Sequence, residues 1–183
     1  MKKRHSNPIL ILDAMKFFAE NPYREVYLRE FGRENKISPN TAQRFLDLFL
    51  KNGFIKEFRR ANLRYFQANL DSISFRQIKI SFSLKELEDS GLIDYLKEKY
   101  PQVILFGSVA KGLDDNKSDI DLVCIGNKKT LDLFEFEKRL KKEINFHVFN
   151  LSDWKKEKEK NKAYYQEVIS TGINLIGEIP IID

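Results

Sequence analysis

The chain is poor in the residues that staple small folds. Its 183 residues include one cysteine, Cys124, which excludes an internal disulfide. Two histidines set far apart leave no Cys/His cluster for a structural zinc site. With eight glycines and five prolines there is no collagen-like or long disordered stretch. No apolar run approaches the ~20 residues that cross a bilayer. The start, Met1 to Pro8, leads into only a short apolar segment before Asp13, so no secretory leader is read and the expected location is cytoplasmic, without a membrane partner. What is present is an ordinary globular composition, 42% apolar and 32% charged, at a length suited to one large domain or two small ones.

The charge is unevenly spread. The first 80 residues hold 16 Lys+Arg against 8 Asp+Glu, a surplus of +8, while the remainder holds 16 against 19, a balance of −3. That asymmetry suggests a basic module facing a polyanion, joined to a module with another task. Chance surface charge is the plain alternative.

In the first module, Pro8 to Phe18 is apolar enough for a largely buried helix that Asn21-Pro22 stops, and a second short helix is expected from about Tyr27 to Asn35. Ser38-Pro39 is a helix start, since the Ser38 hydroxyl can cap free backbone N–H groups and a proline at the first helical position has no N–H to waste. Along that third helix Ala42, Phe45, Leu46, Phe49 and Leu50 form one buried stripe, leaving Asn40, Thr41, Gln43, Arg44 and Asp47 outward. After the Asn52-Gly53 turn come two strand-like runs, Phe54 to Arg59 and Leu63 to Ala68.

Three helices followed by a hairpin resemble winged helix-turn-helix DNA-binding domains over residues 8 to 70. The resemblance implies a third helix in the major groove and a hairpin wing on the backbone. Asn40, Thr41, Gln43 and Arg44 would then face bases, and Arg59, Arg60 and Arg64 would face phosphates of double-stranded DNA. Winged helices also serve as protein-docking modules, and exposed arginines are often merely solvated. Residues 71 to 80 read as a helical connector, and Ser83-Leu84-Lys85-Glu86 has the capping-box order that starts a new helix from Leu84 to Tyr100.

The second module opens on Val103-Ile104-Leu105-Phe106, a buried-strand run that leads into a glycine turn, Gly107-Ser108-Val109-Ala110-Lys111-Gly112. Ser118-Asp119-Ile120-Asp121-Leu122 follows, and strand alternation puts Asp119 and Asp121 on one face with Ile120, Leu122 and Cys124 on the other. Two carboxylates so close repel each other, by ~4 kcal/mol at ~4 Å and an effective dielectric near 20. A shared proton, a lysine or a hard divalent cation can offset this, and an all-oxygen ligand set favours Mg²⁺ or Mn²⁺. The glycines let backbone N–H groups approach phosphate oxygens, with the Ser108 hydroxyl adding a donor. The spacing is not that of a P-loop, and Asp114-Asp115-Asn116 fails the EF-hand pattern, so those three are left as a turn.

Gly107-Ser108, Gly112 and Ser118-Asp119-Ile120-Asp121-Leu122 resemble the signature of minimal nucleotidyltransferases of the DNA polymerase beta superfamily, over about residues 84 to 177. The resemblance implies ATP or another NTP as donor, held by Gly107, Ser108, Lys111, Gly112 and Ser118. It also implies Mg²⁺ held in part by Asp119 and Asp121 as catalytic residues, and transfer of a nucleotide to a hydroxyl. The family's third carboxylate, on a strand after the helix Leu131 to Leu140, falls here on Asn145, with His147 on the same face as an alternative ligand or base. An amide removes one negative charge, so metal affinity and rate are expected to suffer. Glu143 shares that parity but reaches the site only with a register shift. Trp154, Tyr164, Tyr165 and Val168 are expected to pack a last helix, ended by Gly172 and followed by a short strand, Ile173 to Ile176.

The expected fold is α+β: a winged helix with its connector over 1–80, then a small α/β nucleotidyltransferase-fold domain with a mixed sheet over 81–183. Two functions are open, an NTP-dependent nucleotidyltransferase coupled to DNA binding, and a DNA-binding regulator or antitoxin-like protein with a weak or inactive nucleotide-binding domain. A protein acceptor, a toxin partner and an oligomer are compatible with either.

Overall fold

A computed structural model describes residues 8–181, so the segment 1–7, read above as no leader, lies outside the described residues. The chain divides into two compact units between Phe82 and Ser83, and no described helix is long and apolar enough to cross a membrane.

In the first unit, helix α1 (Pro8–Glu20) precedes a two-residue strand β1 (Val26–Tyr27), α2 (Leu28–Glu34), α3 (Pro39–Lys51) and the hairpin β2 (Ile55–Arg60) and β3 (Leu63–Ala68). At the start of α3 the Ser38 hydroxyl accepts from the Thr41 N–H at 3.2 Å, with Pro39 at the first helical position. Ala42, Phe45, Leu46 and Phe49 are buried, whereas Leu50, expected among them, lies at the edge of the core. They meet Phe18, Phe31 and Phe66, with Phe18 stacked on Phe31 at 5.2 Å. Burial of each such side chain stabilises by ~1.5–3 kcal/mol relative to exposure. The hairpin pairs Arg60 with Leu63 around Ala61-Asn62, and β1 adds an unexpected third strand beside β3, giving the order β1-β3-β2.

The connector differs from expectation. Instead of a new helix at Leu84, one helix α4 runs from Ile73 to Ser90, and Ser83 is an interior residue, not a cap. Nothing between Asp71 and Ser90 is a helix breaker, so a capping-box sequence alone did not interrupt it. The break falls at Gly91, whose φ of +81° is left-handed, and α5 then spans only Leu92–Lys97.

The second unit continues with β4 (Gln102–Phe106), α6 (Gly107–Lys111), β5 (Ile120–Ile125), α7 (Phe134–Leu140), β6 (Ile144–Phe149), α8 (Leu151–Lys160), α9 (Lys162–Thr171) and β7 (Ile173–Ile176). The sheet order is β6-β5-β4-β7, with β5 and β6 parallel and the other pairs antiparallel, so the sheet is mixed. Alternation sends Val103, Leu105, Ile120, Leu122 and Cys124 into a core with Leu92, Leu96, Val109 and Ala110. Ile104, Phe106, Val123 and Ile125 face Trp154, Tyr165 and Val168 on the other side. Two expected helices shift. Helix α7 starts three residues late, because Asp132 is held by the Tyr95 hydroxyl, which accepts its N–H at 3.1 Å, while its carboxylate accepts from Phe134 N. The last helix is two, split at Asn161, which closes α8 and whose side chain accepts from Tyr164 N at the start of α9.

Candidate active site

The site forms where β4 ends and β5 begins. In the antiparallel ladder Phe106 lies opposite Asp121, so Gly107, the next residue, arrives beside the Asp121 side chain. A Cβ on Gly107 would stand 2.3 Å from Asp121 Oδ2, and its φ is +73°. Both the backbone conformation and the approach therefore require glycine. The segment expected as a turn is a single short helix, α6, closed by Gly112 at φ +65°. The Ser108 hydroxyl makes no hydrogen bond to a described residue, so it stays available as a donor.

Asp119 precedes β5 and Asp121 is its second residue, both on the face of Val123 and both half-buried. On the parallel neighbour, Asn145 is in register with Asp121. Its amide nitrogen donates to Asp119 Oδ2 at 3.1 Å and, more weakly, to Asp121 Oδ1 at 3.4 Å. The nitrogen is the end that must face them, because both carboxylates can only accept. The amide thus cross-links the pair and offsets part of their repulsion. The expected alignment of Asn145 with the two aspartates is present, and the structure adds these bonds.

The donor set fits a hard cation in kind but is small in number. Among the described residues no group of three or more His, Cys, Asp or Glu side chains is placed to hold a metal ion. Asp119 and Asp121 offer carboxylate oxygens, and Asn145 offers an amide oxygen only if its amide turns round. His147 is exposed, stacked on Tyr164 at 5.5 Å and edge-on to Phe106 at 6.1 Å. Aromatic packing orients its ring. Tyr164 itself was expected only as packing, yet its hydroxyl is buried without a hydrogen-bond partner among the described residues. Burial first, and then the charges of Glu157 and Asp121, push its pKa well above the ordinary value. Burial likewise pushes the Cys124 thiol up to about 12, which leaves it an inert core residue.

Two residues expected at phosphate are engaged elsewhere. Lys111 Nζ is paired with Glu167 Oε1 of α9 at 2.5 Å. The Ser118 hydroxyl donates to Asp115 Oδ1 and accepts from Asp115 N, both at 2.9 Å. Together with the Lys117 N–H, the first cause, it holds the Asp115 carboxyl below its usual range. Ser118 therefore shapes the loop that delivers Asp119.

That loop is also anchored by a pair which sequence reasoning missed. Asp114, left above as part of a turn, is 3% exposed, and Lys142 Nζ reaches its Oδ2 at 2.8 Å and the Asp115 carbonyl at 2.9 Å. Lys142 sits in a Lys141-Lys142-Glu143 run that reads as a solvated face, so no sequence signal marks it.

On the first unit, Asn40 and Arg44 are exposed on α3, Thr41 shares a 3.0 Å hydrogen bond with Ser38, and Gln43 donates to Asp47 at 2.8 Å. Arg64 grips Glu57 through two hydrogen bonds, at 2.8 and 2.7 Å, and Arg60 pairs with Glu25 at 2.7 Å while lying over the Phe58 ring. Arg59 makes no ion pair with a described residue.

No curated protein matches the chain. Residues 89–170 match the family model described as the nucleotidyltransferase domain, a span that runs from the end of α4 through α9 and takes in Gly107, Asp119, Asp121 and Asn145. The similarity to a nucleotidyltransferase domain thus covers most of the second unit.

Proposed function

We propose that the chain transfers a nucleoside monophosphate from ATP or another nucleoside triphosphate to a hydroxyl acceptor, with Mg²⁺ or Mn²⁺ at Asp119 and Asp121, and that its N-terminal unit is a winged helix that binds duplex DNA. The close approach of Gly107 to the Asp121 carboxylate carries the transfer reading, since it brings the backbone of the glycine turn and the Ser108 hydroxyl directly beside a pair of hard oxygen ligands. The triphosphate lies along Gly107 and Ser108, with the Ser108 hydroxyl as donor. A bound divalent cation supplies charge neutralisation for the leaving group. The acceptor oxygen attacks the α-phosphorus, the new O–P bond forms as the bond to the β-phosphate oxygen breaks, pyrophosphate leaves and the hydroxyl proton passes to solvent. Lys111 joins the phosphates only by releasing Glu167.

The same site supports a second reading, a DNA-binding regulator or antitoxin-like protein whose domain holds nucleotide without turning it over. The amide bridging the two aspartates favours it, because it stands where an additional anionic ligand and base would serve catalysis. The DNA reading rests on the basic surplus of residues 1–80 and the exposed Asn40 and Arg44.

Incubation with α-labelled ATP and Mg²⁺ tests the transfer. Label on an acceptor or on the protein, abolished by Asp119→Ala with Asp121→Ala, supports it; nucleotide binding without transfer supports the regulator. For DNA, replacing Arg44, Arg59, Arg60 and Arg64 with Ala is expected to weaken duplex binding and to flatten its salt slope by roughly one for each phosphate no longer neutralised. Unchanged binding would retire the wing model.

A further inference from the structure

We infer that Asn145 restricts the aspartate pair to a single divalent cation, the one that accompanies the triphosphate, so that the acceptor oxygen is not held by a cation of its own. The inference rests on the nucleotidyl-transfer reading of this site and concerns how that site is loaded.

Charge and donor count lead to it. Fully ionised, Asp119 and Asp121 carry two negative charges between them, which one divalent cation neutralises. A second cation about 3.5–4 Å from the first, the spacing of two-metal sites, would stand toward the acceptor, away from most of the triphosphate charge, and needs a further anionic side-chain oxygen to balance it there. The side chain nearest both carboxylates from the neighbouring strand is Asn145, in register with Asp121, and it is neutral. Its nitrogen is directed at both carboxylates. A cation that takes both carboxylates breaks those two hydrogen bonds, and the amide must then turn its oxygen inward as a neutral ligand or withdraw.

The neighbours do not replace the missing charge. His147, two residues along β6, is neutral as a ligand and is stacked on Tyr164. Glu143 is exposed and precedes β6, and it forms no group with Asp119 and Asp121 fit for a metal ion. Glu167 of α9 is already matched by Lys111.

The full chain with Mn²⁺ and a non-hydrolysable α,β-methylene ATP analogue tests this by electron paramagnetic resonance, which separates an isolated Mn²⁺ from a spin-coupled Mn²⁺ pair. The wild type is expected to show only isolated Mn²⁺, and Asn145→Asp to gain the coupled-pair spectrum. Glu143→Gln is expected to leave the wild-type spectrum unchanged. If Asn145→Asp does not fold, Asn145→Ala serves in its place and is expected to retain the isolated signal. A coupled pair in the wild type overturns the inference, as does analogue binding with no Mn²⁺ at the protein. Failure of the analogue itself to bind overturns the functional reading on which the inference rests.

Discussion

Replacing Lys142 with Met perturbs the second unit at its least obvious support. The ammonium meets Asp114 Oδ2 at 2.8 Å, with the two side chains 16% and 4% exposed, and also binds the Asp115 carbonyl. At that distance the gross attraction is ~6 kcal/mol for an effective dielectric near 20, but most of it offsets the desolvation of two charges. The larger effect comes from removing one partner. Methionine fills nearly the same volume yet leaves a buried carboxylate without its counter-charge, which typically costs ~3–5 kcal/mol. Asp114 keeps other interactions, so the lower end, about 3 kcal/mol, is expected. Urea unfolding followed by tryptophan fluorescence suits the measurement, because Trp154 is fully buried in the same unit. In a double-mutant cycle with Asp114→Asn, the second change should recover more than half of the loss. A loss below ~1 kcal/mol for Lys142→Met would refute the reasoning, since the pair would then behave like an exposed surface bridge.

Three further outcomes follow from the site. Gly107→Ala puts a methyl 2.3 Å from Asp121 Oδ2 at a left-handed backbone position, so it should lower stability by ~1–3 kcal/mol and weaken nucleotide binding in a calorimetric titration. Tyr164→Phe deletes a buried hydroxyl without a hydrogen-bond partner among the described residues, so stability at neutral pH should stay level or rise by up to ~1 kcal/mol in the same urea assay. The Tyr164 pKa is raised on folding above its ordinary value of 10.0, so its contribution is whole below pH 10 and is lost as pH rises beyond it. Wild-type stability should therefore fall more steeply above pH 10 than that of Tyr164→Phe, and parallel curves would contradict the burial argument.

Much of the site was legible because it obeys local rules. Ser38-Pro39 starts α3 as its sequence suggests, since capping involves only neighbouring residues. The alternation through Asp119, Ile120, Asp121 and Leu122 fixed which face carries carboxylates, and the β5–β6 register brought Asn145 to Asp121 as expected. Some local readings nonetheless failed. Ser83-Leu84-Lys85-Glu86 has a cap's order but lies inside an unbroken helix, and Asn161 divides what the periodicity reads as one helix. A short strand such as β1 has too few residues to show a period, and it exists only because β3 offers an edge.

Residue order by itself thus determined most of the elements, the glycine beside the first strand and the two aspartates on one face, because backbone sterics and a period of two act within a few residues. Tertiary structure alone decided which charges meet. Lys111 faces Glu167 across 56 residues, Lys142 reaches Asp114 across 28, and Asn145 bridges both aspartates from a neighbouring strand. Coulomb forces and hydrogen bonds act through space, and the sheet order β6-β5-β4-β7 sets those distances.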